Sequence, residues 1–214
     1  MNRVWVLPVL FVFMIAIAVY TSSTPLEVAA TTTGLLSVWL TARENIWAWP
    51  VGLVNVACFF YMFEDAKLYA DMLLQVFFFV LSIYGWIAWL TGRGASKVRP
   101  TRSLSRRQAL LLGALLVVAT FLWGYALTSY TDASIPYADA LIATLSIIAQ
   151  YLLSSKVFEN WLCWIAVDIL SIGMYAYKEL YSLAFLYAIF LAIAIAGHLS
   201  WKRELVRASK GATA

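Results

Sequence analysis

The sequence predicts an all-α integral membrane protein built around a duplicated three-helix unit, and three observations carry that prediction. First, 64% of the 214 residues are apolar and only 12% are charged, with a mean hydropathy of +0.83, whereas soluble domains give about a quarter of their residues to charge. Second, the apolar residues fall into eight stretches separated by short polar punctuation, more apolar surface than one soluble core of this size can bury. Third, sliding the chain by 115 residues sets Glu44, Asn45 and Trp49 on Glu159, Asn160 and Trp164, Glu64 on Glu179, and Trp86 on Trp201. In a membrane protein an internal repeat locates the substrate path between the two halves, near the bilayer midplane. Few residues remain for a separate module, so a single membrane domain over 1–214 is expected.

The elements follow in chain order. Residues 4–20 form an extra first helix. A weak Ala-x-Ala signal at Ala16 and Ala18 lies inside the apolar run, where a signal peptidase is not expected to cut, so the helix is expected to be retained. Residues 28–41, 46–63 and 68–90 form a first triple-helix repeat (28–90), and 137–154, 161–177 and 181–201 a second (137–201). Recurrent Gly and Ala suit close helix packing in lipid, and the period-2 alternation of a barrel strand is absent. Between the repeats, 92–107 holds six basic residues with Gly, Ser and Pro. It reads as a solvated connector rather than a packed element, and without interleaved aromatics it is no nucleic-acid patch. Membrane lipid is the partner its charge suits. An apolar linker helix at 109–130 follows. Three crossings plus one linker make the two bundles parallel, with the pseudo-symmetry axis along the membrane normal. Residues 202–214 form a tail.

Placing the amino terminus in the cytoplasm leaves 13 of the 15 Lys and Arg residues inside and only Lys67 and Lys178 outside, as the positive-inside rule requires. Eight spans then put both termini in the cytoplasm.

Polar residues inside spans are expensive in lipid and mark candidate sites. Asn160, Trp164, Asp168, Ser171 and Tyr175 recur at helical spacing and form one stripe on the seventh span. Asp139, Ser146 and Gln150 share a face of the sixth, and Asp71, Gln75, Ser82 and Trp89 a face of the fourth. Asn45, Trp49 and Gly52 lie together on the third, with Asn55 at the edge. Asn, Gln and Ser can equally serve as interhelical glue, and Trp47, Trp86 and Trp201 read as interfacial anchors. Trp49 and Trp164, matched across the repeat, read as a pair flanking the path.

Several chemistries are set aside. One histidine, His198, and two distant cysteines, Cys58 and Cys163, make no metal cluster, and each cysteine reads as a packing residue. No Walker loop, GxGxxG or nucleophile elbow is present, so transport would be passive, ion-coupled, or driven by what happens to the substrate afterwards. No cofactor is expected, and an enzyme is disfavoured because no acid, base and nucleophile converge. A membrane scaffold or sensor whose stripes only join helices stands as the alternative outside transport.

The run from Trp49 to Asn55 (Trp-Pro-Val-Gly-Leu-Val-Asn), with Lys67-Leu68-Tyr69-Ala70-Asp71 and Gln75-Val76-Phe77, resembles the first half of the PnuC family of bacterial nicotinamide riboside transporters. Glu159-Asn160-Trp161-Leu162, Trp164-Ile165 and Val167-Asp168, leading to Tyr175, Tyr177 and Lys178, resemble its second half. The likeness covers roughly residues 35–203. It implies a SWEET-like 3+1+3 fold in the bacterial inner membrane, with nicotinamide riboside, a vitamin B3 precursor for NAD biosynthesis, bound between the bundles. It further implies facilitated diffusion, trapping by a separate soluble cytoplasmic kinase, and assembly into homo-oligomers. A cationic aromatic ring, an amide and ribose hydroxyls suit Trp49, Trp164, Asp168, Asn45, Asn55, Asn160, Gln75, Gln150 and Tyr175. Family members carrying thiamine or riboflavin keep those vitamins as alternative substrates.

Overall fold

A computed structural model describes residues 24–65, 69–91, 98–132 and 134–211. Seven helices lie within them: α1 (Pro25–Ala42), α2 (Ala48–Asp65), α3 (Tyr69–Thr91), α4 (Arg106–Tyr130), α5 (Pro136–Ser154), α6 (Asn160–Tyr177) and α7 (Tyr181–Gly211). The expected first helix at 4–20 lies outside the described residues. The other seven expected helices are present within a few residues of their bounds, except that the last continues to Gly211. In α3, α4, α5 and α7 the apolar run is long enough to cross a membrane unaided, and the protein is a multi-pass membrane protein.

Local chemistry sets the helix starts. Thr24 and Glu27 form a reciprocal capping box ahead of Pro25, the Glu27 N–H donating to Thr24 Oγ1 at 3.2 Å and the Thr24 N–H to Glu27 Oε2 at 2.8 Å. Ser105 and Gln108 do the same for α4. At the other end of the chain the expected tail is largely helical, because α7 continues to Gly211. Its Lys-Arg-Glu-Leu run favours helix, and Glu204 is held by Thr101, whose Oγ1 donates to Glu204 Oε2 at 2.6 Å.

Packing follows a ring. α1 packs on α2, α2 on α3, α3 on α5, α5 on α6, α6 on α7, and α7 returns to α1. The last helix of each repeat thus meets the first helix of the other, as a pseudo-two-fold demands. Among the described helices α4 stands outside the ring against α5 alone, where Gly124 leaves room for the Tyr137 ring, and it turns Leu110, Leu115, Val118, Phe121 and Leu122 outward.

The register of the duplication is 112 residues, which corrects the 115 read from identities. Glu44 and Lys156 both adopt left-handed φ, 57° and 56°, and close the same Schellman helix stop: Glu44 N–H bonds to Thr41 O at 2.9 Å, Lys156 N–H to Leu153 O at 2.9 Å. Trp49 meets Trp89 edge-on at 5.2 Å and 88°, and Trp161 meets Trp201 at 5.5 Å and 89°. Each ring lies where only glycine fits, Trp49 over Gly85 and Trp161 over Gly197. The sequence match was three residues out, close to one helical turn, so it kept polar residues on nearly the same face while shifting them along the axis. Trp49 therefore corresponds to Trp161, and Trp164 to Gly52.

The connector also departs from expectation. Within its described part, 98–105, the Arg102 N–H donates to Lys156 O at 3.1 Å and Arg102 O accepts from the Phe158 N–H at 2.8 Å, a parallel bridge to the α5–α6 turn. The Leu104 N–H donates to Glu159 Oε2 at 2.9 Å. Backbone groups that the chain would otherwise leave to water are paired here, which turns a basic loop into a strap.

Candidate functional site

The ring interior divides into three levels along its axis. At the end that carries the basic strap, the turn after α1 and the turn after α5 meet. Lys156, wholly buried, places its ammonium 3.0 Å from Glu44 Oε1 and over the rings of Trp89 and Trp201, 4.4 and 3.9 Å from their centroids. Trp49 and Trp161 enclose that pair from either side. Burial pushes the Glu44 carboxyl up to about 7; hydrogen bonding to Glu204 adds to the rise and Lys156 opposes it. Burial likewise lowers the Lys156 ammonium, against the pull of Glu44.

The middle level joins the two repeats across the ring. Phe78 of α3 and Trp164 of α6, on helices that are not ring neighbours, bring their centroids to 6.4 Å. Gln150 Nε2 donates to Ser82 Oγ at 3.2 Å. Asp168, 4% exposed, lies one turn beyond Trp164, with buried Ser171 following and buried Gln75 one turn from Phe78. Ser171 Oγ is buried without a hydrogen-bond partner among the described residues, which marks an interior that water or a polar ligand completes. Among the described residues no Lys or Arg enters this level.

Toward the opposite end, Tyr175 packs on Tyr187 at 5.3 Å, and Tyr187 on Phe190 at 5.9 Å. Lys178 pairs with Asp139 at 3.4 Å, both partly exposed.

The nine residues singled out in the sequence therefore separate. Gln75, Gln150, Trp164 and Asp168 share the middle level. Trp49 and Asn160 sit toward the strap end, where Asn160 Nδ2 donates to Val157 O at 2.6 Å. Tyr175 sits toward the opposite end. Asn55 joins α2 to α1 through Nδ2 and Ala30 O at 2.6 Å, and exposed Asn45 accepts the Trp47 N–H at the entry to α2. Trp49 does not face Trp164 across the path, because the register fixes its mate as Trp161. Trp201, read as an interfacial anchor, is fully buried in the strap-end cluster, and Trp86 packs against that cluster, whereas Trp47 is 65% exposed. Phe78, Tyr187 and Lys156 escaped the sequence reading. Lys156 was legible only through its equivalence to Glu44 at the true register.

Comparison with known proteins places this architecture. The pattern of a family described as nicotinamide mononucleotide transporter matches residues 24–203. The nicotinamide riboside transporter PnuC of Escherichia coli K12 is 31% identical over 202 residues, covering 82% of this chain and 84% of its own. PnuC of Neisseria mucosa is 27% identical over 220 residues, covering 97% and 83%. The riboflavin/roseoflavin transporter RibM of Streptomyces davaonensis is 25% identical over 177 residues, covering 78% and 80%. A crystal structure of the vitamin B3 transporter PnuC matches with a TM-score of 0.78 at 25% identity, covering 97% of this chain and 94% of that one. Seven ring and linker helices, a duplicated bundle and a family match over most of the chain lead to one assignment: the protein belongs to the PnuC family of membrane transporters.

Proposed function

We propose that this chain carries nicotinamide riboside across the bacterial inner membrane by facilitated diffusion, with the basic strap and both termini in the cytoplasm. The middle level supports this reading most directly. Asp168 is a buried carboxylate one turn from Trp164, whose ring meets Phe78 across the ring of helices. A cationic pyridinium finds there a counter-charge and aromatic faces, while Gln75, Ser82 and Gln150 offer donors and acceptors for the amide and ribose. A phosphate dianion would instead meet a carboxylate in a low-dielectric wall. The riboside is therefore the favoured cargo over the mononucleotide. Phosphorylation by a separate cytoplasmic kinase would then trap it. The sequence carries no Walker loop, so uptake is assigned to the substrate gradient. The SWEET-like arrangement of the bundles and assembly into oligomers belong to the same reading.

Proteoliposome uptake tests it. Nicotinamide riboside should equilibrate without ATP, while its mononucleotide, thiamine and riboflavin, offered side by side, should not. Asp168→Asn should weaken riboside binding by calorimetry on the order of tenfold, the loss of one charge-assisted contact. Uptake of the mononucleotide at the riboside's rate would defeat the proposal.

A further inference from the structure

At the strap end the two repeats are joined by a device that the binding of substrate does not require. Lys156 belongs to the α5–α6 turn of the second repeat, and Glu44 to the α1–α2 turn of the first. The faces on which the ammonium rests come one from each repeat, Trp89 from α3 and Trp201 from α7. Trp89 is tied to the second repeat as well, its Nε1–H donating to Leu153 O at 3.2 Å. The strap holds the same turn from outside through Arg102 N–H and Lys156 O. A buried ammonium is tolerable only when paired, and here its counter-charge, Glu44, and one of its two indole faces, Trp89, belong to the other repeat. Moving the repeats apart at this end would separate Lys156 from Glu44 and open the Trp89–Trp201 pair. Among the described residues no such ion pair crosses the middle level.

We propose that Lys156, clasped between Trp89 and Trp201 and capped by Glu44, is the latch that shuts this mouth of the transport path, and that transport requires its release. The interaction gives the latch a signature beyond loss of function. Glu44 and Lys156 are equivalent positions with the same left-handed backbone, and Trp89 and Trp201 exchange under the same pseudo-two-fold. Exchanging the two charges should therefore rebuild the clasp with the ammonium entering from the first repeat. A lysine that merely stabilised its own turn would have no reason to be rescued by a change in the other repeat.

The inference rests on the path described above; its labelling arm needs no substrate, and its bridging arm is read against uptake by the same protein before bridging, so failure of the latch and failure of riboside carriage are separable. In full-length protein with Cys58 and Cys163 replaced by Ala, Ser171→Cys sets a thiol on the buried interior face of α6. A membrane-impermeant thiol reagent is applied from the strap side of oriented vesicles. Lys156→Glu and Glu44→Lys should each raise the labelling rate on the order of tenfold, because like charges replace a buried pair. The exchange Glu44→Lys with Lys156→Glu should return the rate toward that of the parent. If the reversals fail to fold, Glu44→Cys with Lys156→Cys decides the matter. Bridging the two thiols with a short, reducible bifunctional reagent should stop uptake, and reduction should restore it. Parental labelling in the folded single reversals, no recovery in the exchange, or undiminished uptake by the bridged protein would overturn the latch.

Discussion

The two ends of the helical ring carry the same chemistry in different surroundings. Each holds a lysine–carboxylate pair, which crosses from one repeat to the other at the strap end and stays within the second repeat at the opposite end. At the strap end the pair spans 3.0 Å with Lys156 wholly buried; at the opposite end Lys178 and Asp139 lie 3.4 Å apart with both side chains about a quarter exposed. Solvent screens the second pair and caps its worth at about 1 kcal/mol, whereas the first loses hydration and is held by two indole faces. Burial and the span from one repeat to the other, not residue type, therefore set the two pairs apart.

The largest test of that contrast removes an indole. Trp201→Ala should destabilise the protein by about 3–5 kcal/mol, the cost of a large cavity in a packed cluster, seen as a fall in thermal unfolding temperature in detergent. Trp47→Ala, changing a ring 65% exposed, should move it little. A milder break fills space instead. Gly85→Ala and Gly197→Ala each drive a methyl into the Trp49 or Trp161 ring, and each should cost about 1–3 kcal/mol by overpacking. Because the two sites are equivalent, their losses should be similar. Unequal losses would break the 112-residue register.

Protonation should sharpen the comparison further. Glu44 faces Lys156 from the α5–α6 turn, Glu204 and Arg203 from α7, and Arg43 from its own turn. Its carboxyl titrates at about 7 in the closed mouth against an ordinary 4.5. A group whose pKa is raised contributes stability that is present below the ordinary value and lost as pH rises through the raised one, so acid favours the closed mouth: a neutral Glu44 is cheaper to bury and no longer repels Glu204, while remaining a polar partner for Lys156. Strap-side labelling of the interior thiol should run several-fold slower at about pH 6 than at about pH 8, and Glu44→Gln should flatten that dependence. At the opposite end the effect should be smallest. Lys178→Met should change unfolding by no more than about 1 kcal/mol, within the range of exposed pairs, and should leave strap-side labelling at the parental rate.

The sequence by itself determined that the chain is helical, membrane-embedded and duplicated, because apolar length and polar punctuation follow from the bilayer's thickness and from the cost of bare backbone in lipid. It also picked out Gln75, Gln150, Trp164 and Asp168, since a polar residue deep in an apolar helix has few reasons to be there. What it left open was axial position. A three-residue slip nearly preserves a helical face, so Glu44 could be matched to Glu159 when its true mate is Lys156, and Trp49 to Trp164 when its mate is Trp161. Periodicity likewise gave no sign that Asn55 would be taken up by Ala30 O, or that Trp201 would be core rather than anchor. Only the tertiary structure decided those points, because which turns meet at a mouth, and whether a basic loop is solvated or strapped across it, depends on helices brought together from opposite halves of the chain. No local pattern records that meeting.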